Sequence, residues 1–190
     1  MMIEQQGHSS VSREAGFNLI EAAIVLGIVG LIVGGIWAAA ASAYENMRQQ
    51  SASKNMLAFA QNVRNFYSNG GATAIDTSIT NAIQQGLIPP DMRSGTTAAI
   101  SSWATPVTID TGAINSINVF GIIITGLNRQ SCINLIIRNT NASQGSGLIA
   151  VGGSATIPTT ESTFPVTSAQ ATTLCATATG NSPSFWFSIN

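Results

Sequence analysis

The chain has 190 residues and a formal net charge of −1, and only 8% of its residues are charged. This length suits one globular domain with an added anchor, and the low charge excludes the basic surface that direct nucleic-acid binding requires. Hydrophobic residues make up 45% of the chain. A polar but uncharged surface suits packing against further copies of the same chain, although a low-charge secreted domain would have the same composition.

The first predicted element is a long apolar segment that follows a polar leader. Residues 1–16 are polar, whereas Ala22–Ala43 is a run of 22 residues without a charge. About 20 apolar residues suffice for a helix to cross a bilayer. In an ordinary signal peptide the cut follows the apolar region. Here the plausible cut, between Gly16 and Phe17, precedes it, so cleavage would leave the hydrophobic helix on the mature protein.

Glu21 is the informative residue of this segment, because it lies at the start of an apolar helix. A carboxylate inside a membrane costs about 2.5–3.5 kcal/mol on insertion scales, so it needs a partner. The new amino group at Phe17 could pair with Glu21 one turn away in the same chain. In a staggered array Glu21 could instead meet the amino terminus of a neighbouring copy, which would set the axial register. A position at the membrane surface, with the carboxylate in water, remains an alternative.

The stretch from Gly16 to Glu21 (GFNLIE) resembles the class III signal of type IV prepilins. That resemblance implies cleavage after Gly16 by a membrane prepilin peptidase, N-methylation of Phe17 and a role for Glu21 in assembly. Asn18 replaces the threonine most common at its position. The 16-residue leader is similar to those of type IVb pilins, whereas phenylalanine at the cut is more typical of type IVa. The chain also looks similar to the thin-pilus prepilins of conjugative plasmids and enteric bacteria, which are major pilins.

The glycines of the apolar run bear on how helices pack. Gly30 and Gly34 form a pair of small residues four apart, which lets helices approach closely in lipid. Gly34 and Gly35 together weaken the helix, because each glycine costs roughly 1 kcal/mol relative to alanine. We expect bending or local melting there when the subunit leaves the membrane. The ordinary glycine enrichment of membrane helices explains the same pattern equally well.

Beyond Trp37 the helix becomes amphipathic. Apolar residues recur at steps of three and four, which is the spacing of one helical face. The polar residues Arg48, Gln49, Lys54, Asn55, Gln61, Asn62 and Arg64 are expected on the other faces. One helix is therefore predicted from about Phe17 to Tyr67, roughly 75 Å long at 1.5 Å per residue. The stop signal is the stretch Ser68–Gly71 (SNGG).

The remaining residues contain short elements separated by turns. Three short helices are expected, and a β interpretation of the middle one, through CINLII, is nearly as good. Asp76 or Thr77 is the expected cap of the first helix, with Gly86 behind it. The helices are predicted at Asp76–Gln85, Asn128–Asn139 and Thr167–Ala176. Strands are predicted at Ile114–Thr125, Leu148–Val151 and Ser184–Ile189.

The predicted fold class is α+β: the type IV pilin fold, with a long N-terminal helix packed on an antiparallel sheet with short helices. Four regions follow from the sequence. They are the removed leader 1–16, a transmembrane and assembly helix 17–43, the amphipathic half of that helix 44–69, and a globular head 70–190 with a C-terminal disulfide region.

Cys132 and Cys175 are the only cysteines. An even number in an exported chain favours one disulfide, although two free buried thiols remain an alternative. Their order and location resemble the C-terminal disulfide region of pilins. Two thiolates without a histidine ligand do not make a zinc site, and the only histidine, His8, lies in the leader. We therefore expect no metal and no cofactor.

No motif of an enzyme is present, and the predicted mature chain lacks histidine, which excludes Ser-His-Asp and Cys-His mechanisms. The expected function is that of a structural subunit of a type IV pilus, polymerising through its N-terminal helix for adhesion, aggregation or mating-pair contact. The expected partners are further copies of itself, prepilin peptidase, the pilus assembly platform and the bacterial inner membrane, before export as an extracellular fimbrium. The alternatives are a pseudopilin of a type II secretion system and a minor or tip pilin.

Overall fold

A computed structural model describes residues 18–69, 77–141, 145–177 and 180–189. The chain divides into two compact units, Met1–Ala43 and Tyr44–Asn190, and we call the second unit the head. In chain order the elements are α1 (Leu19–Ser68), α2 (Ile79–Gln84), a 3₁₀ turn (Pro90–Met92), β1 (Arg93–Ser94), β2 (Ala98–Ile100), β3 (Pro106–Ile114), β4 (Ile117–Ile124), α3 (Arg129–Asn141), β5 (Leu148–Gly152), α4 (Ser168–Leu174) and β6 (Ser184–Ser188).

The single long helix predicted from the sequence is α1. Asn18 caps its start, because its side-chain Oδ1 accepts a hydrogen bond from the amide of Ile20 at 3.3 Å. At the other end, the Asn69 amide donates to the carbonyl of Asn65 at 2.7 Å and so satisfies a terminal acceptor. The predicted start at Phe17 lies outside the described residues, as do the glycines at 70 and 71.

The head contains one six-stranded antiparallel sheet in the order β1-β2-β3-β4-β6-β5. Its centre is the β3–β4 hairpin, whose two-residue turn is Asn115–Ser116. Both turn residues have positive φ, 49° and 67°. That is the requirement of the tight turn that matches the twist of a hairpin. The region predicted as one strand-rich segment, Ile114–Thr125, is therefore divided between the end of β3 and all of β4.

One face of the sheet packs against the head portion of α1. Phe120 lies in the middle of this core, with ring centroids 6.2 Å from Phe59 of α1 and 5.6 Å from Phe187 of β6. The buried face of α1 agrees with the predicted spacing. Its apolar members are Ala52, Met56, Phe59, Ala60 and Val63.

Two polar residues of α1 are a correction to the predicted pattern. Gln49 and Asn55 were expected on the other faces, but they are only 4% and 6% exposed. Gln49 lies seven residues before Met56, which is about two helical turns, so the two side chains point the same way. Asn55 lies one turn before Phe59 and borders the same face. The buried stripe is therefore wider than its apolar members alone indicate.

The opposite face of the sheet carries a second, smaller core around Trp186. The Trp186 ring lies over Gly121 of β4, where an added Cβ would come within 2.7 Å of the ring. Only glycine leaves room for the indole at this position. Ile114, Val119 and Ala150 complete this core, and Ile157 from the segment after β5 packs against it.

The segment that follows β5 also returns to the outer edge of that strand. Ser162 donates its backbone N–H to the carbonyl of Ile149 at 3.0 Å, and its hydroxyl accepts from the Val151 amide at 3.0 Å. The opposite edge of the sheet is β1, which has only two residues. Both edges of the sheet are thus either covered or very short.

The three short helices exist, with corrected ends. For α2 the cap is Ser78, whose hydroxyl accepts from the Asn81 amide, rather than Thr77; the other predicted cap, residue 76, lies outside the described residues. Gly86 follows α2 with a φ of +74°, as a helix stop requires.

The region Asn128–Asn139 is helical, which settles the ambiguity with a strand, and Asn128 accepts from the Ser131 amide at 2.8 Å. A capping box formed by Thr167 and Gln170 starts α4. Cys175 was predicted within this helix but is the residue that ends it, because the helix stops at Leu174.

Candidate assembly site

The described part of the first unit is a helix whose apolar side chains are open to solvent. Its large apolar residues, from Leu19 to Trp37, are between 48% and 82% exposed. An 18-residue window of this helix has a mean hydropathy of 2.5 and no buried residue. By length and composition the helix could cross a membrane. Nothing else in the described chain exposes a comparable apolar surface, so this segment is the candidate site for association.

The structure describes only some of the site residues that were predicted in this segment. Gly16 and Phe17 lie outside the described residues. Glu21 lies in the first turn of α1 and is exposed. A carboxylate in the first turn is favoured by the partial positive charge of a helix N-terminus. The part of the chain that the structure describes places no cation against Glu21, so its predicted pairing stays a prediction.

Gly30, Gly34 and Gly35 lie in the apolar N-terminal part of α1, and the helix continues through them. A Cβ added at any of the three would meet nothing within 4 Å. Their lack of a side chain is therefore not required by packing within the described chain. Close approach of a second helix would use the space they leave, which is the role predicted for Gly30 and Gly34.

Within the head, Glu45 joins three elements. Its carboxylate accepts from the indole N–H of Trp103, at 3.1 and 3.2 Å to the two oxygens, and from the hydroxyl of Ser131 at 2.6 Å. Gln49, one turn later on α1, donates to the same carboxylate at 3.4 Å. Glu45 thereby ties α1 to the loop before β3 and to the first turn of α3.

No sequence pattern assigned a specific role to Glu45. The weak signal was its place just after the uncharged run. Its partners are 58 and 86 residues away in sequence, so no local pattern reveals them.

We expect Glu45→Ala to lower the free energy of unfolding of the head by about 2 kcal/mol. The change leaves the Trp103 indole and the Ser131 hydroxyl without their acceptor, and hydrogen bonds to a charged group are worth about 1.5–3 kcal/mol. Glu45→Gln is the matched control, because it keeps a carbonyl acceptor and should cost less. Chemical denaturation monitored by tryptophan fluorescence measures both. Equal stability of the alanine variant and the parent would contradict this role.

Other polar contacts within the head hold the second half of α1. The Arg64 guanidinium donates from Nε to the carbonyl of Ser188 at 3.0 Å, and partial burial lowers the pKa of this group. The Asn62 amide donates to the carbonyl of Leu87 at 3.0 Å. These bonds fix the helix against β6 and against the turn after α2.

The predicted disulfide is present between Cys132 of α3 and Cys175 at the end of α4, with Cα atoms 6.0 Å apart. Both cysteines are fully buried. Cys132 directly follows Ser131, so the bridge lies next to the attachment of Glu45. The bond closes a loop with a sequence separation of 43 residues, which includes β5 and the segment that covers its edge.

The described residues contain no group of three or more His, Cys, Asp or Glu that could hold a metal ion. The Asp110 carboxylate accepts from the Thr111 amide at 2.8 Å. What the geometry presents is therefore an apolar helix and a cross-linked head rather than a cluster of reactive side chains.

Comparison with known proteins identifies the family. The family model described as PilS N terminal matches residues 45–187, which is three quarters of the chain. The chain belongs to the PilS N-terminal family. No curated protein matches its sequence.

Among solved structures, the PilS-family chain is similar to TcpA, a type IV pilin from Vibrio cholerae El Tor biotype. The TM-score is 0.50 at 16% identity, covering 75% of this chain and 99% of that one. It is also similar to the type IVb pilin from Salmonella typhi, with a TM-score of 0.49 at 19% identity, covering 74% and 99% of the two chains.

These findings confirm the predicted fold class, a long N-terminal helix with an antiparallel sheet, and the recognition of a type IV pilin at the level of family and fold. The solved structures that the PilS-family chain resembles are pilins, which are structural proteins and not enzymes.

Proposed function

We propose that this pilin polymerises into a type IV pilus through the apolar half of α1. The observation that carries the proposal is the exposure of that half: each of its large apolar side chains, from Leu19 to Trp37, is about half exposed or more. Apolar surface of this extent is stable only when lipid or other apolar surface covers it. The first cover is the bacterial inner membrane, and the second is the same helix of neighbouring copies in an extracellular fibre.

The proposal assigns a role to each predicted residue. Prepilin peptidase cuts after Gly16 and methylates Phe17, and the pilus assembly platform moves the processed subunit from membrane to fibre. Glu21 pairs with the amino group of Phe17 of a neighbouring copy, so a charge that is costly in lipid fixes the stagger between subunits. The open space beside Gly30 and Gly34 supports close helix packing.

The proposed use of the fibre is adhesion, aggregation or mating-pair contact. A pseudopilin of a type II secretion system would also carry the apolar helix, but it would form a short periplasmic piston. A minor or tip pilin would be present in few copies. Electron microscopy of material sheared from expressing cells, with antibody against the head, distinguishes the three. Long labelled fibres support a major pilin, whereas their absence or label confined to fibre ends would contradict one.

We expect mass spectrometry of the mature protein to find an N-terminal peptide that begins at Phe17 and carries one added methyl group. The expectation follows from the match of Gly16, Phe17 and Glu21 to the prepilin signal. Expression without prepilin peptidase is the control and should give the unprocessed leader. A mature chain that still begins at Met1 in the presence of the peptidase would refute the processing step.

A further inference from the structure

A groove in the head lies between the end of α1 and the turn after α2. Its volume is about 470 Å³, within the roughly 300–1,000 Å³ of sites for small ligands. All of its lining residues are in the described part of the head. They are Asn62, Asn65, Phe66, Asn69, Gln85, Gly86 and Leu87, and we call it the amide groove.

The amide groove owes its composition to helical spacing. Asn62 and Asn65 of α1 and Asn69, directly after its end, are three and four residues apart, so their side chains follow one another along one face at steps of about one turn. Gln85 faces them from the end of α2. Carboxamide side chains therefore line both walls.

Hydrogen bonds within the head orient two of these amides and leave the others available. Asn62 donates to the carbonyl of Leu87 at 3.0 Å, and Asn69 donates to the carbonyl of Asn65 at 2.7 Å. Each of these two side chains keeps its oxygen as an acceptor. The side-chain amides of Asn65 and Gln85 make no hydrogen bond to any described residue, and each offers two donors and an acceptor.

The charge and the aromatic ring of the groove restrict the chemistry of a ligand. No lining residue is charged, which disfavours phosphates, acidic sugars and basic peptides, because none would find a counter-charge. Phe66 is half-buried, and its ring is held edge-on to Tyr67 with centroids 5.4 Å apart. A fixed apolar ring beside several amides suits a ligand with one apolar face and many hydroxyl groups.

We propose that the amide groove binds a neutral saccharide. The hydroxyl groups of the sugar bond to the carboxamides of Asn65 and Gln85 and to the oriented oxygens of Asn62 and Asn69. The C–H face of the sugar lies against Phe66. The proposal goes beyond polymerisation, because the groove lies entirely within the head and each subunit carries one.

The test uses the full chain, purified in a zwitterionic detergent, since a glycoside detergent would compete for the groove. Binding is measured on an array of neutral glycans of animal and bacterial polysaccharide types, with sialylated and sulfated glycans and peptides beside them. Comparison of the two neutral types shows whether the sugar comes from an animal glycan or from a bacterial polysaccharide. Binding to neutral glycans, inhibited by the same glycan free in solution, supports the proposal.

A pair of variants assigns that binding to the groove. Asn65→Ala with Gln85→Ala removes the two amides that hold no partner among the described residues, so the melting temperature should stay near that of the parent while affinity falls about tenfold or more. Gln61→Ala is the matched control, because Gln61 is an exposed amide on α1 outside the groove, and it should bind like the parent. The proposal is overturned by no binding to any neutral glycan, by binding confined to charged glycans or peptides, or by unchanged affinity in the double variant. Polymerisation is scored separately by microscopy.

Discussion

Glu21→Ala should abolish pilus fibres while leaving the subunit in the inner membrane. The substitution removes a charge whose burial costs about 2.5–3.5 kcal/mol, so the helix enters lipid at least as well as before. The fibre loses the proposed pair between Glu21 and the amino group of Phe17, and with it the contact that sets the stagger of neighbouring subunits. Immunoblots of sheared material and of membranes, together with electron microscopy, measure the two populations.

Two controls test whether the effect depends on this position and on the charge of its side chain. Glu161→Ala removes an exposed carboxylate of the head whose one hydrogen bond, from Asn115 at 3.3 Å, lies far along the chain from α1, and fibres should form normally. Glu21→Gln keeps the size and the hydrogen-bonding groups without the charge, and it should resemble the alanine variant. Normal fibres from Glu21→Ala would show that the stagger is set by other contacts.

Removing the disulfide should lower the free energy of unfolding of the head by about 4 kcal/mol. The sequence separation of 43 between Cys132 and Cys175 sets the size of the loop that stays closed in the unfolded chain. In the chain-entropy model, a cross-link that closes a loop of that size stabilises the folded head by about 4 kcal/mol, and removing it loses that stability. The double variant Cys132→Ala with Cys175→Ala and the oxidised parent are compared by chemical denaturation in the same detergent.

Both cysteines are fully buried, so the alanine variant also loses packing. Reduction of the parent is the control, because it opens the loop and keeps both sulfur atoms. The reduced parent should lose most of the stability that the double variant loses and should change mobility on a gel. If the reduced parent unfolds at the same denaturant concentration as the oxidised one, the bridge contributes little.

The sequence predicts best what depends on local periodicity. The span of α1, its buried stripe and the helix Arg129–Asn141 all follow from apolar residues at steps of three and four. Gly86 after α2 was predicted because glycine readily adopts the positive φ that ends a helix. The helix predicted at Thr167–Ala176 is present, but Thr167 is its cap rather than its first residue. The pairing of Cys132 with Cys175 followed from the absence of any other cysteine.

The sequence did not predict the very short strands or the contacts between residues far apart in the chain. Strands β1 and β2 are two and three residues long, too short for a period to be seen. In β3 the alternation of Val107 and Ile109 with polar residues was present, but it is brief and ends in Thr–Gly–Ala. The bonds of Glu45 to Trp103 and Ser131, and the amide groove, exist only once the chain has folded.

The covered edges of the sheet have a consequence for the proposed fibre, in which many heads lie close together. Unpaired strands at high local concentration recruit one another and grow into cross-β aggregates. The two-residue β1 and the bonds from Ser162 to β5 leave little backbone for such recruitment. Heads can therefore be brought side by side by their helices without the sheets nucleating a competing, irreversible polymer.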